Sequence, residues 1–184
     1  MGGRLDATNI LVPEVALSTQ IDFDHENFLG HSIEEIAAEK AGIIKPGLPV
    51  LTAASEPEAL EVIQRVAKEK RAPLTVVPAN VGQASRLSPL SVPPKTISHI
   101  ETGATPVLPL FGEDQQLNAA LAVATVKTLQ NIIPVSGASA RTGLANVNWP
   151  GRLQLVTRPS GQNFLLDGAH NVAGAETLCA ALLS

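Results

Sequence analysis

The sequence predicts a three-layer α/β fold built on a parallel sheet, followed by the beginning of a second α/β domain. Two capped amphipathic helices alternate with short apolar runs at 49–53 and 74–77. Strand, helix, strand of this length is a crossover unit, which places the two runs parallel in one sheet. Near Asn148 the pattern then changes from helices and buried strands to a hairpin, so a domain boundary is expected there, dividing the chain into 1–148 and 149–184.

Residues 7–21 alternate apolar runs around Pro13 and Glu14, which reads as strand, turn, strand. An acidic cluster follows, with Asp22, Asp24, His25 and Glu26. Ser32 and Glu35 form a capping box, and Ile33, Ile36, Ala37 and Lys40 recur at helical spacing until Gly42, predicting a helix from Ser32 to Ala41. Pro46, Gly47 and Pro49 close it. Pro49 to Ala53 reads as a buried strand. Ser55 and Glu58 supply a second capping box, and the helix from Glu56 to Lys70 puts Ala59, Leu60, Ile63, Val66 and Ala67 on one face. Leu74 to Val77 is the next buried strand.

Prolines and serines break the pattern from Pro78 to Pro109, predicting loops with at most one or two edge strands. Gln115 to Leu129 is helical, with Leu117, Leu121, Ala124 and Leu129 on one side. Pro134 to Asn148 reads as a Gly/Ser/Ala/Asn-rich connection. Arg152 to Thr157 and Asn163 to Leu166 make a hairpin about a turn at Pro159–Gln162, and a last helix begins near His170.

With 45% apolar and 16% charged residues in 184, the chain has the balance of a soluble globular protein of one domain or somewhat more. A net charge of −4 provides no basic face, so neither nucleic acid nor an anionic membrane is expected as the main partner. No apolar run approaches the length of a membrane span, and residues 1–20 lack the charged start and apolar middle of a secretory signal. Cys179 stands alone, cannot form an internal disulfide, and reads as a small buried hydrophobe. A reducing compartment fits.

Three places carry chemistry. Asp22-Phe23-Asp24-His25 follows a strand end, where ligands gather in open α/β sheets; it suits a divalent metal or a solvated loop. Lys40 shares a helix face with Ile33, Ile36 and Ala37, either snorkelling to solvent or held in a site. In Leu165-Leu166-Asp167-Gly168-Ala169-His170-Asn171 an apolar strand stops at Asp, Gly and His before a helix. That arrangement suits an anion such as phosphate, or a helix cap and a structural turn.

Together these segments resemble the folylpolyglutamate synthase/dihydrofolate synthase family, a branch of the Mur-ligase group. The resemblance is carried by Gly2-Gly3-Arg4-Leu5-Asp6-Ala7-Thr8-Asn9, by Asp24-His25 with Phe28-Leu29-Gly30, and by Ala38-Glu39-Lys40-Ala41-Gly42-Ile43-Ile44-Lys45-Pro46-Gly47. Gln115 with Asn118-Ala119-Ala120-Leu121-Ala122, Trp149-Pro150-Gly151-Arg152 and Leu166-Asp167-Gly168-Ala169-His170-Asn171 continue it in the family's order. The first segment looks more like dihydrofolate synthases and bifunctional members than dedicated polyglutamate synthases. The resemblance implies a Mur-ligase-like central ATP-binding domain, present in part, and the start of the C-terminal domain.

It also implies roles. Magnesium would be held by His25, Lys40 would be carbamylated, turning an ammonium into an anion that can hold a second metal, and His170 would lie close to the transferring phosphoryl group. Asn118, Arg152 and Asp167 would bind ATP, and Leu5, Asp6 and Ala7 would line the pteroate site. The implied reaction joins L-glutamate to dihydropteroate or a folate through an acyl phosphate, in a monomeric protein of the cytoplasm or of mitochondria. Asp114 stands where the family has histidine. The family's glycine-rich phosphate loop and a further metal-binding glutamate would lie upstream of residue 1, so this stretch alone is expected not to turn over ATP. The alternative is a non-catalytic relative that binds nucleotide or a protein partner.

Overall fold

The computed structural model describes residues 3–23, 29–78, 110 and 113–183. His25 and the proline-rich stretch at 79–109 lie outside them. Three short strands, β1 (Ala16–Ser18), β2 (Val50–Thr52) and β3 (Leu74–Val76), form one parallel sheet in the order β1-β2-β3. Ala16 pairs with Val50, and Val50 with Leu74, so the expected parallel pairing of the two apolar runs holds.

The side chains after Pro49 alternate between two cores, as the period of a strand requires. Val50 and Ala54 pack with helices α1 (Ile33–Ala41) and α2 (Pro57–Glu69), through Ile36, Ala37, Ala59 and Ile63. Leu51 and Ala53 face the other way, against Leu117, Leu121 and Ala124 of helix α3 (Glu113–Thr128). Helices therefore cover both faces of the sheet. Thr52, the one buried polar residue among those described, accepts a hydrogen bond at Oγ1 from the Ala54 amide at 3.1 Å.

Local chemistry sets the helix ends. Ser32 caps α1 by accepting from the Glu35 amide, while the Glu35 carboxylate accepts from the His31 amide at 2.8 Å. Helix α2 ends in a Schellman arrangement, with Ala72 N donating to Ala67 O and Arg71 N to Lys68 O. Arg71 takes the left-handed conformation there, φ 52°, without being a glycine.

Several sequence expectations are corrected. Residues 7–10 form a 3₁₀ turn (Ala7–Ile10) rather than a strand, because Asp6 accepts from both the amide and the hydroxyl of Thr8 and closes the chain locally. The second capping box does not form. Glu56 occupies the N-cap position without a side-chain bond, and Pro57, preset for a first helical position, starts α2. Within the expected connection at 134–148 lies a helix, α4 (Gly137–Ala145), capped by Ser136 and burying no residue. Its missing apolar face hid it.

The hairpin forms as expected from β4 (Gln154–Thr157) and β5 (Asn163–Leu166), antiparallel, with Gly161 in its turn at φ 81°. Helix α5 (Val172–Leu183) follows, two residues later than expected. Cys179 is exposed on it rather than buried, because α5 turns Ala173, Gly174 and Leu178 inward and Cys179 away. Among the described residues no helix is long and apolar enough to cross a membrane.

The two serines should separate under chemical denaturation. Ser32→Ala is expected to destabilise by about 1 kcal/mol, the usual loss of a bonded N-cap, while Ser55→Ala changes little. A similar loss in both would restore the second capping box. Leu51→Ala, at a fully buried site on the central strand, should cost roughly 2–5 kcal/mol. Leu155→Ala, on the exposed side of the hairpin, should stay within about 0.5 kcal/mol of the parent by the same measurement.

Candidate functional site

The N-terminal segment is bound to the end of helix α1 through polar contacts. Arg4 N donates to Glu39 O at 2.8 Å, and the Arg4 guanidinium meets the Glu39 carboxylate at 3.0 Å. Two glycines permit this approach. A Cβ on Gly3 would stand 2.5 Å from Glu39 O, and one on Gly42 would stand 2.5 Å from Arg4 Cβ. Asn9 Nδ2 donates to Arg4 O at 3.0 Å and Gly42 O at 3.3 Å, and Lys45 Nζ donates to Asn9 O at 2.6 Å and Asn9 Oδ1 at 2.8 Å.

Between Arg4 and Asn9 lie Leu5, Asp6 and Ala7. Leu5 and Ala7 are exposed. The Asp6 carboxylate is held below the usual aspartate range, chiefly by the Thr8 hydroxyl and then by the Thr8 amide, both of which donate to it. It therefore keeps its charge, and with it the cap on the 3₁₀ turn, to lower pH than an ordinary aspartate. Lys40 lies half-buried in the last turn of α1, beside this segment.

A second group of residues meets at the carboxyl ends of β1 and β2. A cavity of about 270 Å³ is bounded by Asp22 after β1, Ser55 after β2, Gln115 at the start of α3, Arg152 and Asp167 from the hairpin, and Thr177 of α5. Ligands of open α/β sheets bind beyond the carboxyl ends of the strands. Asp167 is fixed there by two backbone donors, Leu153 N to Oδ2 at 2.9 Å and Ala169 N to Oδ1 at 2.8 Å. The first of these holds Leu153 in a left-handed conformation, φ 44°, directly after Arg152. A side-chain carboxylate thus sets the backbone that presents the guanidinium.

Of the residues singled out in the sequence, Arg152 and Asp167 come together in this cavity, and Asp22 joins them. Asn118, Lys40 and His170 are not among its lining residues. Asn118 is exposed on α3, one turn beyond Gln115, and His170 Nδ1 lies 2.9 Å from Gly168 O. Among the described residues no three His, Cys, Asp or Glu side chains converge on a point that would hold a metal ion.

Three contributors had no assigned role in the sequence. Asn9 and Lys45 build the N-terminal clamp, and Asn171 accepts from Gly174 N at 2.8 Å in the first turn of α5. All three sit within the family-like segments, which was the available signal. Their partners are distant in sequence or on the next turn, and spacing does not reveal the former.

No family model matches the chain. The dihydrofolate synthase/folylpolyglutamate synthase of Bacillus subtilis is 39% identical over 187 residues, covering 97% of this chain and 42% of that protein. Among solved structures, a folylpolyglutamate synthase–AMPPCP–folate complex superposes with a TM-score of 0.79 at 28% identity, covering 100% of this chain and 45% of the other. E. coli FolC in complex with DHPP and ADP superposes with a TM-score of 0.70 at 34% identity, covering 98% of this chain and 40% of the other. The chain spans less than half the length of these relatives. Along nearly its whole length, then, this chain is similar to proteins of the dihydrofolate synthase/folylpolyglutamate synthase family, over about two fifths of their length.

Proposed function

We propose that this chain supplies the nucleotide-facing and pteroate-facing part of an ATP-dependent carboxylate–amine ligase that adds L-glutamate to dihydropteroate or to a folate. The observation that carries the reading is the meeting of Arg152 and Asp167 with the strand ends of the parallel sheet around one cavity. Relatives of the same fold carry AMPPCP with folate, or ADP with DHPP. We place the ATP-binding domain at 1–148 and the start of the second domain at 149–184, in a monomer of the cytoplasm.

In this reading the γ-phosphoryl group of ATP passes to the pteroate carboxylate, giving an acyl phosphate and ADP. The glutamate amine then attacks the acyl carbon, phosphate leaves, and the amine loses a proton. Negative charge gathers on the phosphoryl oxygens in the first step, and a guanidinium offsets it by charge-assisted hydrogen bonds. Arg152 is the residue assigned to that task, and Asp167 holds it in place through the Leu153 amide. Asn118 is assigned to the adenine, Lys40 and His170 to the reacting end, and Leu5, Asp6 and Ala7 to the pteroate. Magnesium, for which His25 is the assigned ligand, would neutralise phosphate charge when bound.

Titration of the 184-residue chain with AMPPCP tests the nucleotide half. Arg152→Ala should weaken binding by roughly tenfold, the typical loss of one charged hydrogen bond. Arg158→Ala, whose guanidinium sits 4.8 Å over the Phe164 ring in the hairpin, should bind as the parent does. Equal affinity in parent and Arg152→Ala would overturn the nucleotide site.

A further inference from the structure

We infer that Lys45 is a positioning residue for the pteroate substrate: through Asn9 it holds the Leu5-Asp6-Ala7 segment against the end of helix α1. This rests on the ligase reading above and adds to it a residue that touches neither substrate nor phosphate. The Lys45 ammonium donates to the Asn9 carbonyl at 2.6 Å and to its side-chain oxygen at 2.8 Å. A lysine only donates, so the Asn9 amide must turn its oxygen to Lys45 and its nitrogen elsewhere. That nitrogen donates to Arg4 O and Gly42 O, both of which only accept. The orientation of Asn9 is thereby fixed by chemistry on both sides.

The bonds tie the chain just before Leu5 and just after Ala7 to the loop that leaves α1, the helix bearing Lys40. Beside these bonds the segment has one backbone bond to α1, Arg4 N to Glu39 O at 2.8 Å, and the Arg4–Glu39 ion pair. The 3₁₀ turn buries no residue, and Leu5 and Ile10 are 81% and 86% exposed. The Arg4–Glu39 pair has its arginine 60% exposed, where ion pairs contribute little. The Lys45 bonds are part-buried and charge-assisted, so they are the stronger constraint. A segment with few buried contacts opens on its own, without unfolding the sheet beneath it. Removing Lys45 should therefore disorder the substrate segment and leave the nucleotide cavity at the strand ends intact.

The test is calorimetric titration of the 184-residue chain with dihydropteroate and, separately, with AMPPCP, together with amide hydrogen exchange. Lys45→Met is expected to weaken dihydropteroate by roughly tenfold or more while AMPPCP affinity stays within about twofold. Exchange should quicken at Arg4, Asp6, Asn9 and Leu11, whose amides are bonded in the parent, and remain unchanged in α2. Lys45→Arg, which keeps the donors, should recover most of the affinity. Asn9→Asp, which keeps the acceptor for Lys45 but loses the donor to Arg4 and Gly42, should show a partial loss and keeps the question answerable if Lys45→Met does not fold. Unchanged dihydropteroate affinity in Lys45→Met and Asn9→Asp would overturn the inference. So would equal loss of both ligands with faster exchange in α2, which marks a merely structural lysine. A parent chain that binds AMPPCP and not dihydropteroate would overturn instead the ligase reading beneath it.

Discussion

Burial of strand β2 on both faces is the constraint on which the rest of this structure depends. Val50 and Ala54 need one apolar layer and Leu51 and Ala53 another, so a single helical face cannot satisfy the strand. Helices α1 and α2 supply the first layer and α3 the second. A strand so covered has no water for its backbone, and its amides and carbonyls are bonded to β1 and β3 on either side. Parallel pairing sends the ends of β1 and β2 to the same edge of the sheet. There the chain leaves the sheet at Asp22 and Ser55, which border the cavity shared with Arg152 and Asp167. The position of the candidate site is thus a consequence of how one short apolar run is buried.

Around that core, the residues proposed for function are held by polar contacts to backbone. Asp167 takes two amides, Asp6 takes an amide and a hydroxyl, and Asn9 and Lys45 bind carbonyls of two separate loops. Such bonds fix direction, which packing of apolar groups does not. They also stabilise each segment independently of the sheet, so the two ends of the site can loosen separately. The end at the strand edge depends on Asp167 and its hold on Leu153. The end beside α1 depends on the clamp at Asn9.

What could be read from the sequence follows the same division. The runs at 49–53 and 74–77 and the two helices that precede them were legible because periodicity reports burial, whereas the hairpin, with no buried residue in β4 or β5, was legible from its turn residues. The 3₁₀ turn at Ala7–Ile10 was misread as a strand. Its apolar residues suggested a pleat, while the deciding contact was the Asp6 side chain with Thr8. Helix α4 was missed because it has a cap and local bonds but no buried face, and Ser55 was overvalued because Pro57 starts the next helix without it. At the site, the family-like motifs led to Arg152 and Asp167, which do meet. Lys40, Asn118 and His170 do not line that cavity, and His25 lies outside the described residues. The clamp partners of Lys45 were illegible for a plain reason: Asn9 is 36 positions away, and no local pattern encodes that distance.

The most direct test of the account is a crystal structure of the chain grown with AMPPCP. The account predicts the phosphates at the carboxyl ends of β1 and β2, within hydrogen-bonding distance of the Arg152 guanidinium, with Asp167 still accepting from the Leu153 amide. Nucleotide bound elsewhere, or phosphates in that cavity with Arg152 turned away from them, would contradict it.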